Sequence, residues 1–472
     1  MPVVEAACGG PIPVSFRDPA GAVYRYEGRV FRAIAPSDAE FTRAFLASPL
    51  CSELTSSGAL VASSIVDPDS VPFDLSAPLL LEHEPVWFPS YAAEWPAEML
   101  HAAASLTLDL LERSVAAAFG IKDATPYNTL FRGPEPQFID VLSFERRGPG
   151  DPQWLAFAQF SRTFLLPLLA YRQFGLSLSS TFLQFRDGLE PDQVYAMCST
   201  LQRLKPSVLR IVSVPKWLNG LAESKAEKIY VPQRVSPERA RFTLQRLINS
   251  TRKLLEAVRP RRTISTWTGY VEMEHARNAI AAKTAFAIQA VQQDRCRAVL
   301  DVGCNTGEYS RAVATAGARV VAIDFDPVVV GENWRQARRD HLDILPLVVN
   351  IARPTPSVGW RNREQASFLD RAAGKFDCVL MLGLIHHLLV SERVPLAEIL
   401  GLAAQLTTRT LIVEFVPRGD PMFRRIARGR DALHTLFTPQ AFEQAVLAHF
   451  QIVKTAPVPG GERSLYWLRK KR

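Results

Sequence analysis

The sequence has few of the features that mark secreted, zinc-binding or membrane proteins. Its six cysteines are scattered and form no C-x-x-C pair, which argues against a disulfide framework and a structural zinc site. No apolar run approaches the roughly 18 residues that a membrane-spanning helix requires. The first residues, Met1 to Cys8, carry no positive charge and no apolar core, so we expect no secretory signal and a cytoplasmic location.

Lysine is missing from the first quarter of the chain, since none precedes Lys122. The first 240 residues carry a net negative charge, whereas the remainder is net positive and brings the formal total to +8. Such an asymmetry indicates separate domains and is compatible with an anionic partner for the basic half. With 472 residues, the chain is long enough for two domains and a connector.

The N-terminal part mixes short strands with helices. Alternating residues around a Pro19–Gly21 turn predict a β-hairpin over Phe16–Ile34, and apolar residues three to four apart predict a helix over Met99–Phe119. Further helices are expected at 154–174, interrupted near Pro167, and at 194–204. We therefore expect an α+β domain over residues 1–215, followed by a polar, basic, helix-prone connector over residues 216–293.

From residue 294 onward, short apolar runs alternate with helical stretches. Seven runs are present, at 298–302, 319–323, 345–349, 378–382, 410–413, 450–454 and 464–468. Alternation of this kind is typical of βαβ units and a parallel sheet, and the Pro457–Gly460 turn between the last two runs favours an antiparallel hairpin. The sequence thus predicts an α/β, Rossmann-like domain over residues 294–472 with a seven-stranded, mostly parallel sheet.

The strongest motif, Asp301-Val-Gly-Cys-Asn-Thr-Gly307, follows the first of these runs and opens a helix. Glycine lets the backbone approach a ligand closely, and a helix N-terminus presents free N–H groups. About twenty residues further on, at the end of the next predicted strand, Asp324 can accept both ribose hydroxyls of a nucleoside. Together these features predict a nucleoside-type ligand.

The D-x-G-x-x-x-G loop resembles motif I of class I S-adenosylmethionine (SAM)-dependent methyltransferases, with asparagine in place of the middle glycine. Asparagine tolerates left-handed backbone angles better than most residues. The stretch Phe376–Leu388, with its Ile-His-His-Leu end, resembles motif IV of small-molecule methyltransferases. The resemblance implies SAM as the cofactor, and we expect no metal site. The residues it places against the cofactor are Asp301, Gly303, Asn305, Gly307, Asp324, Asn350, Leu382 and Gly383.

Three candidate catalytic residues, His386, His387 and Glu414, follow the fourth and fifth predicted strands. A histidine there can deprotonate a hydroxyl acceptor, with Glu414 orienting it; purely structural roles are the alternative. Five arginines follow the fifth strand: Arg418, Arg424, Arg425, Arg428 and Arg430. They could bind an anionic acceptor or form a solvated helix face. Few aromatic residues lie among them, which does not favour nucleic acid.

A second motif lies in the N-terminal half. Asp123 and Asn128 have the D-x-x-x-x-N spacing of a kinase catalytic loop, and Asp140 follows two short predicted strands. In kinases the first aspartate accepts the hydroxyl proton, while the asparagine and the second aspartate hold magnesium. The region resembles aminoglycoside-phosphotransferase-like kinases. Arg29 or Arg32 would have to replace the absent lysine, so we expect a degenerate site; simple turn residues are the alternative.

The whole arrangement resembles the NoeA-type nodulation protein family. The matching stretches are 127–134, 138–145, 301–310, 384–388 and 429–434. The resemblance implies a methyltransferase linked to symbiotic signal production. We expect methylation, with oxygen as one target, of a small-molecule or carbohydrate-type acceptor, with anionic or glycan-like compounds as candidates. Two alternatives stay open: a non-catalytic SAM-binding scaffold with a degenerate kinase lobe, and an RNA methyltransferase whose affinity falls steeply with salt.

Overall fold

The computed structural model describes residues 11–471 except 16, 74, 223–233, 263–273, 430–432 and 434. The chain divides into two units. Unit 1 extends to Arg261 and includes Val358–Gln365, and unit 2 consists of Arg262–Ser357 and Ala366 onward. Cys8, Arg430 and most of the 429–434 stretch lie outside the described residues.

Nine strands lie among the described residues of unit 1. They are β1 Ile12–Ser15, β2 Gly21–Tyr26, β3 Arg29–Ile34, β4 Ser63–Val66, β5 Leu79–His83, β6 Phe119–Ile121, β7 Thr129–Arg132, β8 Glu135–Phe138 and β9 Phe144–Arg146. The first five form an antiparallel sheet in the order β1-β2-β3-β5-β4, while β6 pairs with β9 and β7 with β8. The chain turns at Pro19–Ala20 and again at Glu27–Gly28, so the predicted hairpin is part of a three-stranded meander.

The helices of unit 1 follow and flank these strands. They are α1 Pro36–Leu46, α2 Pro49–Ser56, α3 Ala97–Ala116, α4 Phe157–Phe160, α5 Leu166–Phe174, α6 Leu178–Gln184, α7 Pro191–Met197, α8 Thr200–Arg203, α9 Pro206–Val208, α10 Val214–Ala222 and α11 Pro237–Ala257. Most of one face of α3 is buried, as its apolar spacing predicted. Pro167 does not end the helical path, because a π-helical turn over Ser161–Leu165 joins α4 to α5 directly before it.

The predicted connector over residues 216–293 is wrong for much of its length. Helix α11 belongs to unit 1, because its apolar residues Leu244, Ile248 and Leu255 form a buried stripe. Arg252 of the same helix pairs with Asp109 and Glu112 of α3, both at 2.7 Å. A helix that reads as polar overall is therefore an integral part of the unit, and unit 2 starts near residue 262 rather than 294.

Unit 2 has the predicted seven-stranded sheet. Its strands are β10 Ala298–Val302, β11 Arg319–Asp324, β12 Ile344–Val348, β13 Phe376–Met381, β14 Thr407–Phe415, β15 Phe450–Pro457 and β16 Ser464–Lys470. The order is β12-β11-β10-β13-β14-β16-β15, with β10 to β14 parallel and the last two strands antiparallel. This Rossmann-like arrangement confirms the predicted fold class.

Helices cover the sheet of unit 2. They are α12 Glu274–Gln293, α13 Glu308–Thr315, α14 Pro327–Arg339, α15 Phe368–Ala372, α16 Ile385–Val390, α17 Leu396–Leu406, α18 Pro421–Ala427 and α19 Pro439–Val446. The central strands are almost continuously buried, as parallel strands with helices on both faces must be. Phe286, Ala290 and Val291 of α12 pack into the same core, which explains why unit 2 begins before the predicted boundary.

Two sequence-based exclusions concern the whole chain. Among the described residues, no helix combines the length and apolarity needed to cross a membrane. Five cysteines fall in the described part, and all are free and buried: Cys51, Cys198, Cys296, Cys304 and Cys378.

Candidate functional site

The loop predicted to hold the cofactor joins β10 to α13. The backbone N–H groups of Gly303 and Cys304 both donate to the carbonyl oxygen of Ile323, at 2.8 and 3.0 Å. These bonds tie the loop to the end of β11. Asn305 has a φ of +48°, so the residue at the middle-glycine position does adopt the left-handed backbone that asparagine tolerates.

The last residue of the loop, Gly307, cannot carry a side chain without a collision. Its φ is +84°, and a Cβ atom there would lie 2.2 Å from Oδ1 of Asn333 on α14. A Cβ on Gly303 would lie 3.3 Å from the side chain of Leu384, which follows β13. The glycines therefore let the loop close onto α14 and bring it next to the segment after β13.

Asp324 ends β11 and faces this loop. Its Oδ2 accepts the backbone N–H of Asn305 at 3.0 Å, and its Oδ1 accepts that of Asp326 at 3.1 Å. Burial raises the pKa of Asp324, while the backbone N–H donors oppose that shift. Asp326 caps α14 through Val328, so its part is structural. The structure thus brings Asn305 and Asp324 together, as the motif predicted.

Asp301 occupies a different environment. Its carboxyl group is fully buried and accepts a hydrogen bond from Ser310 of α13 at 2.6 Å. Burial raises its pKa to about 7, although the Ser310 bond and the nearby Asp324 also act on it. Asp301 therefore anchors α13 to β10 from inside the unit, and we do not find it at the open edge of the loop.

The other predicted cofactor residues lie beyond the carboxyl ends of neighbouring strands. Asn350 comes just after β12, and its side chain accepts the backbone N–H of Ala352 at 2.9 Å. Leu382 is buried and Gly383 has a φ of +67° directly after β13. A Cβ atom on Gly383 would lie 3.7 Å from Oε2 of Glu414, so the ends of β13 and β14 meet here.

Glu414 is the centre of a buried ionic network. The residue is 0 % exposed and forms ion pairs with Lys283 of α12 at 2.7 Å and with Arg463 at 3.3 Å. Arg463 also pairs with Asp420 at 2.7 Å, and that pair outweighs burial to lower the pKa of Asp420. Sequence analysis did not identify Lys283 or Arg463, because a single basic residue in a helix or a hairpin does not indicate a buried ion pair.

The two predicted histidines differ in exposure. His386 is only 2 % exposed, and neither ring nitrogen has a hydrogen-bond partner among the described residues. Burial, with added effects of His387 and Arg463, lowers its pKa to about 3. His387 is partly exposed and contacts the His386 ring in a tilted arrangement with ring centroids 4.2 Å apart; burial and Arg463 lower its pKa. Both imidazoles are neutral near pH 7.

The arginine cluster after β14 is largely solvated. Arg424, Arg425 and Arg428 are exposed on and after α18, and Arg418 is partly exposed. The described arginines therefore fit the solvent-exposed alternative. Their binding of an anionic acceptor stays a prediction.

The predicted kinase-like residues also come together, in unit 1. Asp123, Asn128 and Asp140 line one cavity of about 710 Å³. Arg32, on β3, lines the same cavity and forms an ion pair with Asp140, whereas Arg29 pairs with Glu82. Of the two arginines proposed to replace the absent lysine, Arg32 is therefore the one in position. The described residues include no group of three or more His, Cys, Asp or Glu that could hold a metal ion.

The pKa values of the two aspartates in this cavity are shifted in opposite directions. Burial raises the pKa of Asp123, opposed by a hydrogen bond from Asn128. Burial acts in the same direction on Asp140, but Arg32 and the hydroxyl group of Ser143 outweigh it and lower the pKa. Asp140 is thus a stable carboxylate, as a residue that binds a cation must be.

Comparison with known proteins connects unit 2 to a reaction. Residues 273–445 match the family described as a methyltransferase domain. The chain is 30% identical to "Nodulation protein NoeA" of Rhizobium meliloti (strain 1021) over 485 residues, which cover 98% of this chain and 97% of that protein.

Two methyltransferases are among the solved structures that resemble part of this chain. The magnesium protoporphyrin IX methyltransferase ChlM of Synechocystis PCC 6803, with bound SAH, is 17% identical, covers 45% of this chain and 90% of its own, and gives a TM-score of 0.31. The N-methyltransferase NodS of Bradyrhizobium japonicum WM9 is 13% identical, covers 43% of this chain and 99% of its own, and gives a TM-score of 0.32.

Proposed function

Since the chain belongs to the NoeA family of nodulation proteins and carries a SAM-dependent methyltransferase domain, we propose that it methylates a hydroxyl oxygen of a small, carbohydrate-type acceptor. One observation carries the proposal. The glycine loop, the Asp324 carboxylate and the His386–His387 pair all lie beyond the carboxyl ends of adjacent parallel strands. Ligands of open α/β sheets bind at that edge.

The residues around the loop fit SAM. Each oxygen of Asp324 accepts at least one backbone N–H, and a carboxylate has further acceptor capacity for a ribose hydroxyl. Because Gly303 and Gly307 have no side chains, a ligand can approach the loop backbone closely. The first turn of α13 provides further N–H donors. Asn350, past β12, is assigned to the adenine side. When bound, SAM supplies a sulfonium methyl group that a nucleophile displaces directly, a reaction that depends on in-line positioning of the two reactants.

A hydroxyl acceptor must lose its proton as it attacks. We assign that step to His387, because it is partly exposed and its lowered pKa keeps the ring neutral and able to accept a proton. His386 was the preferred base in the sequence, but at 2 % exposure and with a pKa of about 3 it is a weak and enclosed one. His386 then serves to position the His387 ring through their tilted ring contact.

Glu414 acts as an anchor in this proposal. Its carboxylate is already paired with Lys283 and Arg463, so we do not assign it the role of activating a histidine. The network joins α12, β14 and the β15–β16 turn at the carboxyl end of the sheet. A rigid ionic network of this kind preorganises the pocket in which the acceptor binds.

The proposal is tested by methyl transfer from labelled SAM to oligosaccharides, with small carboxylated glycosides and total RNA as further acceptors. We expect label in the hydroxyl-bearing compounds, and a loss of roughly 100-fold or more in His387→Ala, the size of effect usual for a general base. His449→Ala is the matched control, since His449 is exposed. Label in RNA alone, or equal rates in the two variants, would contradict the assignment.

A further inference from the structure

One surface of unit 1 exposes several large apolar side chains that lie close together in the sequence. They are Met197, Leu201, Leu204, Val214, Trp217 and Leu218, with exposed fractions from 37 % at Val214 to 80 % at Leu201. We call the surface over residues 197–218 the apolar–basic surface, since lysines and arginines are interspersed in it. A single exposed apolar residue is ordinary, whereas a group of them marks a place where a protein meets another surface.

The helices that carry these side chains pack against one another. A π-helical turn over Leu209–Ser213, which is largely buried, contacts α7, α8, α9 and α10. Oγ of Ser213 donates to the carbonyl oxygen of Arg203 at 2.9 Å and so ties the start of α10 to α8. The guanidinium group of Arg203 lies 4.0 Å from the centroid of the Tyr195 ring on α7. The exposed apolar side chains are therefore the outer layer of one packed group of helices.

Helix α10 presents an apolar face to solvent. Trp217 and Leu218 follow Val214 by three and four positions, so all three side chains lie on one face of the helix. Trp217 is 50 % exposed and Leu218 is 56 % exposed, although an outer helix face is normally polar. Tryptophan and leucine on one face, with basic residues nearby, are typical of helices that lie in the surface of a lipid bilayer. Tryptophan in particular favours the headgroup region.

The charge of this surface is complementary to an anionic partner. Residues 198–222 include Arg203, Lys205, Arg210 and Lys216 but no aspartate or glutamate, although the first 240 residues are net negative as a whole. Lys205 and Arg210 are exposed, whereas Lys216 pairs with Asp192 of α7. Lysine is depleted at protein–protein interfaces, while clustered lysines and arginines beside an apolar helix face favour anionic lipid. The composition therefore favours a lipid surface over a protein partner.

We propose that the apolar–basic surface binds the protein to an anionic lipid bilayer. Helix α10 lies in the plane of the bilayer surface, with Trp217 and Leu218 among the headgroups. Lys205 and Arg210 lie against the lipid phosphates. The inference rests on unit 1 alone and does not depend on the proposed methylation.

The test is co-sedimentation of the full chain with vesicles of phosphatidylcholine alone and of equal parts phosphatidylcholine and phosphatidylglycerol. We expect binding to the anionic vesicles that weakens as salt is added. Trp217→Ser combined with Leu218→Ser should lower the affinity by roughly tenfold or more, because both side chains then lose their apolar contact. Lys205→Gln combined with Arg210→Gln should lower it by about fivefold for each lost charge.

Matched controls change exposed residues elsewhere in unit 1. They are Trp360→Ser, at a tryptophan that is 63 % exposed, and Arg241→Gln combined with Lys253→Gln on α11. All variants should keep the wild-type Tm, and the controls should bind vesicles as the wild-type chain does.

Three outcomes would overturn the proposal. One is the absence of wild-type binding to the anionic vesicles. Another is equal binding by the variants of the apolar–basic surface and by their controls. The third is a wild-type dimer in analytical ultracentrifugation that Trp217→Ser with Leu218→Ser abolishes, without any vesicle binding. That result would make the surface an interface between two copies of this chain.

Discussion

Replacement of Gly307 by alanine is the sharpest perturbation of the cofactor loop that the structure suggests. The new Cβ atom would lie 2.2 Å from Oδ1 of Asn333, a buried residue of α14. The backbone at this position has a φ of +84°, which alanine adopts only with strain. Gly317 offers a matched control, since its φ is +96° and nothing lies within 4 Å of its Cβ position.

Comparison of the two alanine variants separates the cost of the left-handed backbone from the cost of the steric collision. A left-handed backbone costs a non-glycine residue about 1–2 kcal/mol, and this cost applies to both variants. Forcing a methyl group into a closely packed site adds about 1–3 kcal/mol at position 307 alone. The collision moves the loop away from α14, so we also expect the affinity for SAM to fall by roughly tenfold, the equivalent of about 1.4 kcal/mol.

Urea denaturation and SAM titration of Gly307→Ala and Gly317→Ala measure these effects. Gly317→Ala should lose stability but keep its affinity for SAM. Adding Asn333→Ala to Gly307→Ala removes the collision and should restore part of the affinity. If Gly307→Ala proved no more harmful than Gly317→Ala in both assays, the described packing of the loop on α14 would be refuted.

Three further predictions concern buried ionisable groups. Lys283→Met leaves Glu414 with only its longer pair to Arg463 and should cost about 3–5 kcal/mol of unfolding free energy, whereas exposed Lys454→Met should cost little. The pKa of Asp301 is raised to about 7, so the folded state retains a proton that the unfolded state loses; stability should fall as pH rises from about 4 to 7, and Asp301→Asn should flatten that slope. The pKa of His386 is lowered to about 3, so the unfolded state gains a proton first; stability should fall as pH drops from about 6.5 to 3, and less so in His386→Leu. Denaturation curves over these pH ranges check both signs.

The sheet and the loop of unit 2 were predictable because their signals are local. Each strand is a short apolar run, and the turn after β10 needs glycines at positions that the backbone angles confirm. Asp324 could be located by its distance along the chain from the loop, since the end of the next parallel strand lies beside the first.

The connector and the ionic network were missed because their meaning depends on distant residues. Helix α11 reads as polar, yet three of its apolar side chains fill a stripe against the rest of unit 1. Lys283 precedes its partner Glu414 by more than a hundred positions, and no local sequence pattern predicts an ion pair over that distance. The exposure of His387 relative to His386 likewise follows from packing, which sequence order alone cannot rank.

The candidate site of unit 1 could be predicted from the sequence only in part. The spacing of Asp123 and Asn128 is local and was recognised, whereas Arg32 could be chosen over Arg29 only once the sheet had placed it beside Asp140. His83, which also lines the cavity, gave no signal, because a single histidine at the end of a strand is usually structural. The cavity is therefore a property of the folded unit, although four of its polar residues, Arg32 among them, were named from the sequence.

The most direct measurement is calorimetric titration of SAM into the wild-type chain, Asp324→Ala and Asp343→Ala. Asp343 is a matched carboxylate near the opposite end of the strands, where it pairs with Arg319 at 2.9 Å. We expect binding to the wild-type chain and to Asp343→Ala, and no detectable binding to Asp324→Ala. Full SAM affinity in Asp324→Ala would contradict the placement of the cofactor at this loop.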